Sequence, residues 1–264
     1  MASAPQQMLP LFYRQLEPLN TQQHADFRLK RMDVAPFVAR QHAIPITVDE
    51  FGLVGRRMPI IFSIGDDPVP LALMSLNENT NTFFDDSGKL LDEEAYVPAY
   101  IRRYPFMLAR LRPDSQEMSL CFDPTADAVG PFAEGEPLFV DGQPSETTRA
   151  VLDFNEQFEQ AGQRTQAFMA ELKEMDLLMD GEVSITPEGS QPFVYRGFLM
   201  VNEEKLKDLR GDQLRKMSKS GLLPLLYAHL FSVSLMRDIF GRQQRQDKLP
   251  QAPLTLNTPA PANI

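Results

Sequence analysis

The chain has 264 residues, of which 43% are hydrophobic and 23% charged, so it can bury a core without disulfides or a structural metal. Its formal net charge of −10 disfavours nucleic acid and anionic lipid as partners, because both are negatively charged. Its single cysteine, Cys121, excludes an internal disulfide and a cysteine-based zinc site.

The sequence predicts a soluble, cytoplasmic protein. Its first residues lack the basic region and the apolar run of a signal peptide. Its longest uncharged apolar stretch, residues 222–236, is shorter than the roughly 20 residues that cross a bilayer, so we expect no membrane insertion. Residues 1–7 are expected to be a disordered start, and the charged, then proline-rich residues 243–264 a disordered tail.

Strand signals dominate the first half of the chain. An apolar segment at residues 8–14 predicts an edge strand or a docked arm. Residues 58–64 and 69–76 are rich in apolar residues and flank the turn Gly-Asp-Asp-Pro, which predicts a β-hairpin. A second strand pair is predicted at residues 106–111 and 118–122. We therefore expect one mostly antiparallel sheet between the first of these strands and the last.

The sequence Asp-Asp-Ser-Gly at residues 85–88 predicts a turn between two short strands, with Gly88 supplying a positive φ angle. Calcium-binding loops of the EF-hand type need acids at alternate positions and a closing glutamate, and this spacing is absent here. We therefore predict a structural turn and no metal site.

Residues 96–111 combine aromatic residues, two prolines and an arginine pair around a short predicted helix that Pro105 ends. Two interpretations are open. Arg102 and Arg103 could bind a carboxylate or phosphate ligand, with Tyr100 and Tyr104 available to stack on it. Alternatively the tyrosines lie in the core and the arginines pair with nearby acids, among them Asp92, Glu93 and Glu94.

A long helix is predicted from Ser145, which has the side chain of an N-cap. Apolar or small residues recur along it at alternating steps of three and four, which is a heptad pattern. This seam can pack inside the protein or form a surface for self-association. It consists of Val151, Phe154, Phe158, Ala161, Thr165, Phe168, Leu172, Met175 and Met179.

The rest of the chain predicts a hairpin over residues 182–201 and three helices. Asn202 is expected to cap the first helix and Asp212 the second, which Gly221 closes. The third helix, residues 222–240, is apolar on most faces, so we expect it to be buried.

His229 lies on this apolar helix and has no histidine or cysteine neighbour at metal-ligand spacing. A buried, hydrogen-bonded histidine is the favoured interpretation, and a role in ligand binding is the alternative. A Cys121–His229 nucleophile pair is a further hypothesis that sequence distance alone does not exclude. The sequence contains none of the glycine-rich phosphate loops or nucleophile elbows, so we predict no cofactor and no metal.

The expected fold class is α+β. A mostly antiparallel sheet in the N-terminal half packs with the long helix and with a C-terminal region of helices and a hairpin. We expect a single domain over residues 8–242, with a sheet-rich part at 8–144 and a helix-rich part at 145–242.

Three blocks, residues 96–108, 193–209 and 221–236, together resemble the bacterial SapC family in collinear order. The resemblance implies one domain of about this length and an association with a surface-array (S-layer) locus, hence a location at the cell surface. It implies no catalytic residues. A peptide-transporter permease shares the letters of the name, but the absence of a long apolar span argues against that protein.

The function expected from these observations is that of a non-catalytic interaction or structural protein with a protein or peptide partner. Self-association would use the seam residues Val151, Phe154, Phe158, Phe168 and Leu172. One alternative is a cytoplasmic peptide- or anion-binding accessory that uses Arg102 and Arg103. Another is an enzyme with an unrecognised site at Cys121 or His229.

Overall fold

The computed structural model describes residues 9–112, 117–187, 189 and 191–249. The chain divides into two compact units. In the described residues, the first unit comprises 9–33 and 102–160, and the second comprises 34–101 and 161–249. The single domain predicted over residues 8–242 stays a prediction, and the predicted disordered start lies outside the described residues.

The described residues contain seven α-helices, and two 3-10 helices at Pro36–Val38 and Val48–Glu50. The α-helices are α1 (Phe51–Val54), α2 (Ala99–Arg103), α3 (Glu146–Glu174), α4 (Glu203–Lys207), α5 (Gly211–Ser220), α6 (Leu222–Val233) and α7 (Met236–Arg245).

The strands of the described residues are short, with two to four residues each. They are β1 (Glu17–Pro18), β2 (Arg28–Leu29), β3 (Ala43–Pro45), β4 (Ile60–Phe62), β5 (Pro70–Leu73), β6 (Phe106–Ala109), β7 (Ser119–Phe122), β8 (Val129–Gly130), β9 (Glu136–Pro137), β10 (Phe139–Val140), β11 (Gln143–Pro144), β12 (Leu178–Asp180), β13 (Val183–Ile185), β14 (Phe193–Tyr195) and β15 (Leu199–Val201).

The first unit is built from small antiparallel sheets. Two of them have three strands, in the orders β1-β7-β6 and β8-β2-β9, and the third is the pair β10-β11. Its hydrophobic core contains Phe106 and Phe122 from the first sheet together with Val129 and Leu138. These strands are too short to bury a large face, so the core is completed by aromatic and aliphatic side chains from other strands, from loops and from α3.

The second unit is organised around a five-stranded antiparallel sheet with the order β12-β15-β4-β5-β3. A separate hairpin is formed by β13 and β14. The central strands β4 and β5 are buried at every residue, as their continuous apolar sequences require. The fold class is therefore α+β, as the sequence predicts.

The predicted hairpin of residues 58–76 is confirmed as β4 and β5, and the second predicted pair is confirmed as β6 and β7. The prediction of one sheet containing all four strands is wrong, because the two pairs lie in different sheets. On the side of β4 that does not face β5, the neighbouring strand is β15, with Leu199 opposite Phe62. Strand β15 comes from the C-terminal half of the sequence.

The long helix α3 begins where the sequence predicts. The Thr148 backbone N–H donates to Ser145 Oγ at 3.2 Å, which caps the helix. The seam is buried at Phe158, Phe168 and Leu172 and half-buried at Val151 and Phe154. Most of its side chains therefore pack within the protein.

The last part of the predicted seam is wrong, because α3 ends at Glu174 and Met179 lies in β12. Thr165, the polar residue within the seam, has a structural explanation. Its hydroxyl accepts the Val48 backbone N–H at 3.0 Å and donates to the Ala161 carbonyl, so it binds the start of a 3-10 helix.

The predicted caps are confirmed at two of three positions. Asn202 Oδ1 accepts the Lys205 N–H at 3.0 Å, and Gly221 has a φ of 81°, which ends α5. The predicted cap at Asp212 is wrong. The N-cap is Arg210, and Asp212 lies in the first turn, where its charge still suits the helix dipole.

The helix predicted over residues 222–240 is two helices, and Gly241 lies inside the second of them. The hydroxyls of Ser232 and Ser234 donate to the backbone carbonyls three residues earlier at the break, a local bond that competes with helical pairing. The expectation that this helix is buried holds for one face of α6, whereas its other face is exposed at Tyr227 and Phe231.

The start of the predicted tail is structured. Gln243 lies in α7 and is fully buried, and its Oε1 accepts the Leu76 backbone N–H at 3.0 Å. Its Nε2 donates to Asn77 Oδ1 at 2.7 Å and to the Lys248 carbonyl at 3.1 Å. Residues 250–264 of the predicted tail lie outside the described residues.

We expect Gln243→Ala to lower the free energy of unfolding by about 2 kcal/mol, because it leaves the buried Leu76 N–H without an acceptor. The neighbouring Gln244 is exposed, so Gln244→Ala is the matched control and should change stability by less than about 0.5 kcal/mol. Denaturant unfolding measures both variants. Equal effects of the two substitutions would contradict the structural role of Gln243.

The turn at residues 85–88 is confirmed, and Gly88 has a φ of 82°. A Cβ atom at this position would lie 2.2 Å from the Ala35 backbone carbonyl carbon, so both the backbone angle and the contact require glycine. Gly142 has a similar φ of 72° but nothing within 4 Å of such a Cβ.

Gly88→Ala is therefore expected to cost about 3 kcal/mol and Gly142→Ala about 1 kcal/mol, since only the first adds a clash with backbone to the strained φ. Thermal or denaturant unfolding of the two variants, side by side, isolates the contact. If both variants lose the same stability, the close approach of residues 35 and 88 is not present in the folded protein.

Candidate functional site

The arginine pair predicted as a ligand site lies at the end of α2, and its two members have different environments. Arg103 is 3% exposed, whereas Arg102 is exposed. The Arg102 guanidinium lies over the ring of Phe154, 5.1 Å from its centroid. Only Arg102 is therefore placed to meet a ligand from solvent.

Arg103 is held by a group of residues that we call the Arg103 cluster: Tyr13, Arg103, Tyr104, Phe158 and Glu159. Its guanidinium lies 4.3 Å from the centroid of the Phe158 ring and 5.9 Å from that of Tyr13. A guanidinium over aromatic faces is stabilised by the ring quadrupole, and more so when it is buried. Arg103 thus sits in the interior of the first unit.

Glu159 is the acid of the Arg103 cluster, with its Oε1 3.7 Å from Arg103 Nη1. Burial raises the pKa of the Glu159 carboxyl, and the Arg103 guanidinium opposes part of that rise. No local sequence pattern points to this partner, because Glu159 is on α3, far away along the chain.

Tyr104 is half-buried, and its ring makes an edge contact with Tyr13 at 5.2 Å between centroids. Burial, together with the negative charge of Asp123, raises the pKa of Tyr104 to about 12. The phenol therefore stays protonated at neutral pH and donates to its acidic neighbour, so it is unsuited to act as a base.

Asp123 is fully buried and accepts several hydrogen bonds in the first unit. The Arg14 backbone N–H donates to its Oδ2 at 2.7 Å, and both the N–H and the hydroxyl of Thr125 donate to its Oδ1. These donors and Tyr104 saturate the carboxylate, which is the expected arrangement for a structural acid. They also attach the N-terminal segment, where Tyr13 donates to the Phe106 carbonyl at 2.7 Å.

The acids that we expected to pair with the arginines have other partners. Asp92 binds Arg242 at 2.7 Å, and Glu94 binds Arg57. Asp92 and Glu94 are therefore not the acids that neutralise the arginine pair. The Arg242 contact lowers the pKa of Asp92, because a hydrogen-bonded guanidinium favours the charged carboxylate.

Tyr100, predicted as a stacking residue, is completely buried in the second unit. The adjacent Ala99 N–H donates to Oε1 of Glu50 at 2.6 Å, and the Tyr96 hydroxyl donates to the same atom at 3.2 Å. Glu50 is 4% exposed and also accepts from the backbone and hydroxyl of Thr47. The spacing of Thr47 and Glu50 is that of a capping box, a sequence signal that could have identified this buried acid.

His229 lies in the second unit, fully buried, and both of its ring nitrogens bind backbone groups. Its Nδ1 donates to the Ile60 carbonyl at 2.9 Å, and its Nε2 accepts the Val201 N–H at 3.1 Å. Burial lowers its pKa to about 4, so the ring is neutral at pH 7. His229 connects α6 to the adjacent strands β4 and β15.

Cys121 lies in β7, 1% exposed, and burial raises the pKa of its thiol to about 11. A nucleophilic cysteine needs a lowered pKa or a basic neighbour. His229 cannot supply that base with both ring nitrogens engaged. Among the residues that the structure describes, no group of three His, Cys, Asp or Glu side chains could hold a metal ion.

Two large hydrophobic side chains on α6 are exposed, and one of them is the most exposed such side chain in the described chain. Phe231 is 72% exposed and Tyr227 is 38% exposed, and their rings lie 5.8 Å apart. The opposite face of α6 holds Leu222, Leu226, His229 and Ser232 in the core. We call the exposed side, Tyr227 and Phe231, the α6 outer face.

By length and composition, one helical stretch of the described chain could cross a bilayer. It is Leu222–Arg245, 24 residues long, whose most apolar 18-residue window has a mean hydropathy of 1.2 and is 33% buried. Apolar core helices of soluble proteins meet the same criterion, and here the stretch is divided between α6 and α7.

Comparison with known proteins places the chain in a family. Searches of the curated proteins and of the solved structures find no significant match. The family model described as SapC matches residues 19–239, which include both units and the α6 outer face. The chain therefore belongs to the SapC family.

Proposed function

We propose that this SapC-family protein is a non-catalytic interaction protein and that the α6 outer face is its contact surface. The observation that carries the proposal is the 72% exposure of Phe231, on a helix whose composition is that of a buried one. Exposed aromatic side chains on an apolar helix are characteristic of contact surfaces and are enriched at the centres of interfaces.

The use of the polar side chains supports the non-catalytic part of the proposal. His229 binds two backbone groups, Cys121 is a buried thiol with a raised pKa, and Tyr104 donates to a saturated carboxylate. Each of these groups is engaged in holding the fold. Neither a nucleophile nor a base is therefore assigned to the pair Cys121 and His229.

The association with a surface array, implied by the family, is part of the proposal. A protein of this role would lie at the cell surface or in contact with the cell envelope. Separation of cells into cytosol, envelope and released surface layer tests this part. Recovery from the cytosol alone would contradict the surface-layer version while leaving the interaction function in place.

The interaction function is tested by the native size of the protein in gently lysed host cells. We expect the chain to elute in a complex or with membranes, and Phe231→Ser to release it. Val140, 52% exposed in the first unit, supplies the control, and Val140→Ser should leave the complex intact. Elution of the unaltered chain as a free monomer would contradict the proposal, as would substrate turnover by the purified protein.

A second candidate function, binding of a small anion or of a peptide carboxylate, is favoured by the exposed Arg102 over Phe154. Arg103 contributes little to it, because its guanidinium is covered. Arg102→Ala should then abolish anion binding at unchanged stability, as measured by calorimetric titration with phosphate or with an acidic peptide.

A further inference from the structure

Charge is distributed very unevenly along the chain. Residues 210–248 contain eight Lys and Arg but only three Asp and Glu, a net charge of +5. Since the whole chain has −10, the remaining residues have −15. The acidic total, which argues against an anionic partner, therefore conceals a basic segment made of α5, α6 and α7.

The apolar centre of this segment is α6, which has no charged residue. Its inner face packs on the sheet of the second unit, and its outer face presents Phe231 and Tyr227. Helix α1 packs beside it and carries Leu53, which is 43% exposed. Apolar side chains from two helices are thus accessible in this part of the unit.

Basic side chains lie on the helices before and after α6. Helix α5 packs against α6 and exposes Arg215 and Lys219, and Arg237 is exposed at the start of α7. Within the described part of the chain, none of these three side chains forms an ion pair. Their charges are therefore not neutralised locally, unlike that of Arg210, which binds Asp212.

We propose that this surface docks on an anionic membrane, with Phe231 and Tyr227 at the level of the lipid headgroups and the basic residues of α5 and α7 on the phosphates. This inference names the partner of the proposed interaction function and rests on it. Interfacial helices combine exposed aromatic residues with flanking Lys and Arg in this way. The docking is peripheral, because the inner face of α6 is fixed to the sheet by His229.

The charge pattern favours lipid over a second copy of the chain. In a two-fold symmetric pair built on α6, the unpaired basic residues of one copy would face the same basic region of the other. An anionic membrane neutralises them instead, because its phosphates supply the negative charge that a second copy lacks in this region. A protein partner with an acidic rim is the alternative that the experiment must separate.

Flotation of the full chain with vesicles tests the proposal. We expect binding to vesicles of equal parts phosphatidylglycerol and phosphatidylcholine, weaker binding at high salt, and none to phosphatidylcholine alone. Phe231→Ser, and separately Arg215→Glu with Lys219→Glu, should each weaken binding by about tenfold or more. Val140→Ser should bind as the unaltered chain does, and denaturant unfolding checks that all variants are folded.

The possible outcomes distinguish a failure of the lipid-docking inference from a failure of the proposed interaction function. If neither vesicle type binds while Phe231→Ser still releases the chain from its cellular complex, the lipid proposal is wrong and the partner is a protein. A dimer that Phe231→Ser dissociates, without vesicle binding, assigns the surface to a second copy. If Phe231→Ser changes neither vesicle binding nor the cellular complex, the proposed function fails as well.

Discussion

Replacing Arg103 by alanine is expected to lower the free energy of unfolding by about 3 kcal/mol, the lower end of the cost of removing one partner of a buried ion pair, because Glu159 is only half-buried. Arg103 is 3% exposed, and its guanidinium lies 3.7 Å from Glu159 Oε1 and 4.3 Å from the centroid of the Phe158 ring. Without it, the half-buried Glu159 carboxyl loses the nearby positive charge. Denaturant unfolding measures the loss.

Two further variants sharpen the Arg103 result. Arg102→Ala, at the exposed neighbour, should cost less than about 1 kcal/mol. Arg103→Met combined with Glu159→Leu should be more stable than Arg103→Met alone, because the half-buried Glu159 charge is then not left unpaired. If Arg103→Ala retained full stability and instead lost binding of an anion, Arg103 would be a recognition residue.

His229→Ala is expected to cost about 4 kcal/mol at pH 7, since it removes a packed ring and leaves two buried backbone groups without partners. The effect should depend on pH. The folded pKa, about 4, lies below the ordinary value of 6.5, so between these values the unfolded chain binds a proton that the folded chain does not. Stability from His229 is therefore complete above pH 6.5 and is lost as the pH falls towards 4.

The size of this change is about 3 kcal/mol, which is the free energy equivalent of the pKa difference. The many carboxylates of the chain also titrate at low pH, so the difference between the unaltered protein and His229→Ala is the quantity to measure. That difference should shrink from pH 7 to pH 4. A difference that stays constant across this range would show that the ring is not held in its neutral form.

Features that are formed by residues adjacent in the sequence could be predicted from the sequence. The Ser145 cap, the turn at Gly88 and the β4–β5 hairpin each follow from a few adjacent residues, and each is confirmed. The break between α6 and α7 is also local. It was not predicted, because an apolar composition does not show that Ser232 and Ser234 bind carbonyls within their own helix.

The candidate site was less predictable, because its partners come from distant segments. Arg103 meets Tyr13 and Phe158, and the pairing of β4 with β15 joins the two halves of the sequence. No local pattern specifies such contacts. The acids nearest in sequence to the arginines were therefore the wrong partners, and an accessible Phe231 on an apolar helix could only be recognised once its surroundings were known.

Site-specific photo-cross-linking in intact host cells tests the central claim, that the α6 outer face is the working surface of the protein. A photo-reactive phenylalanine analogue at position 231 should give abundant cross-linked adducts. Mass spectrometry then identifies whether the cross-linked molecule is a lipid or a partner protein. The same analogue at position 140, which is also exposed, should give few. Equal and low adduct yields from the two positions would contradict this claim.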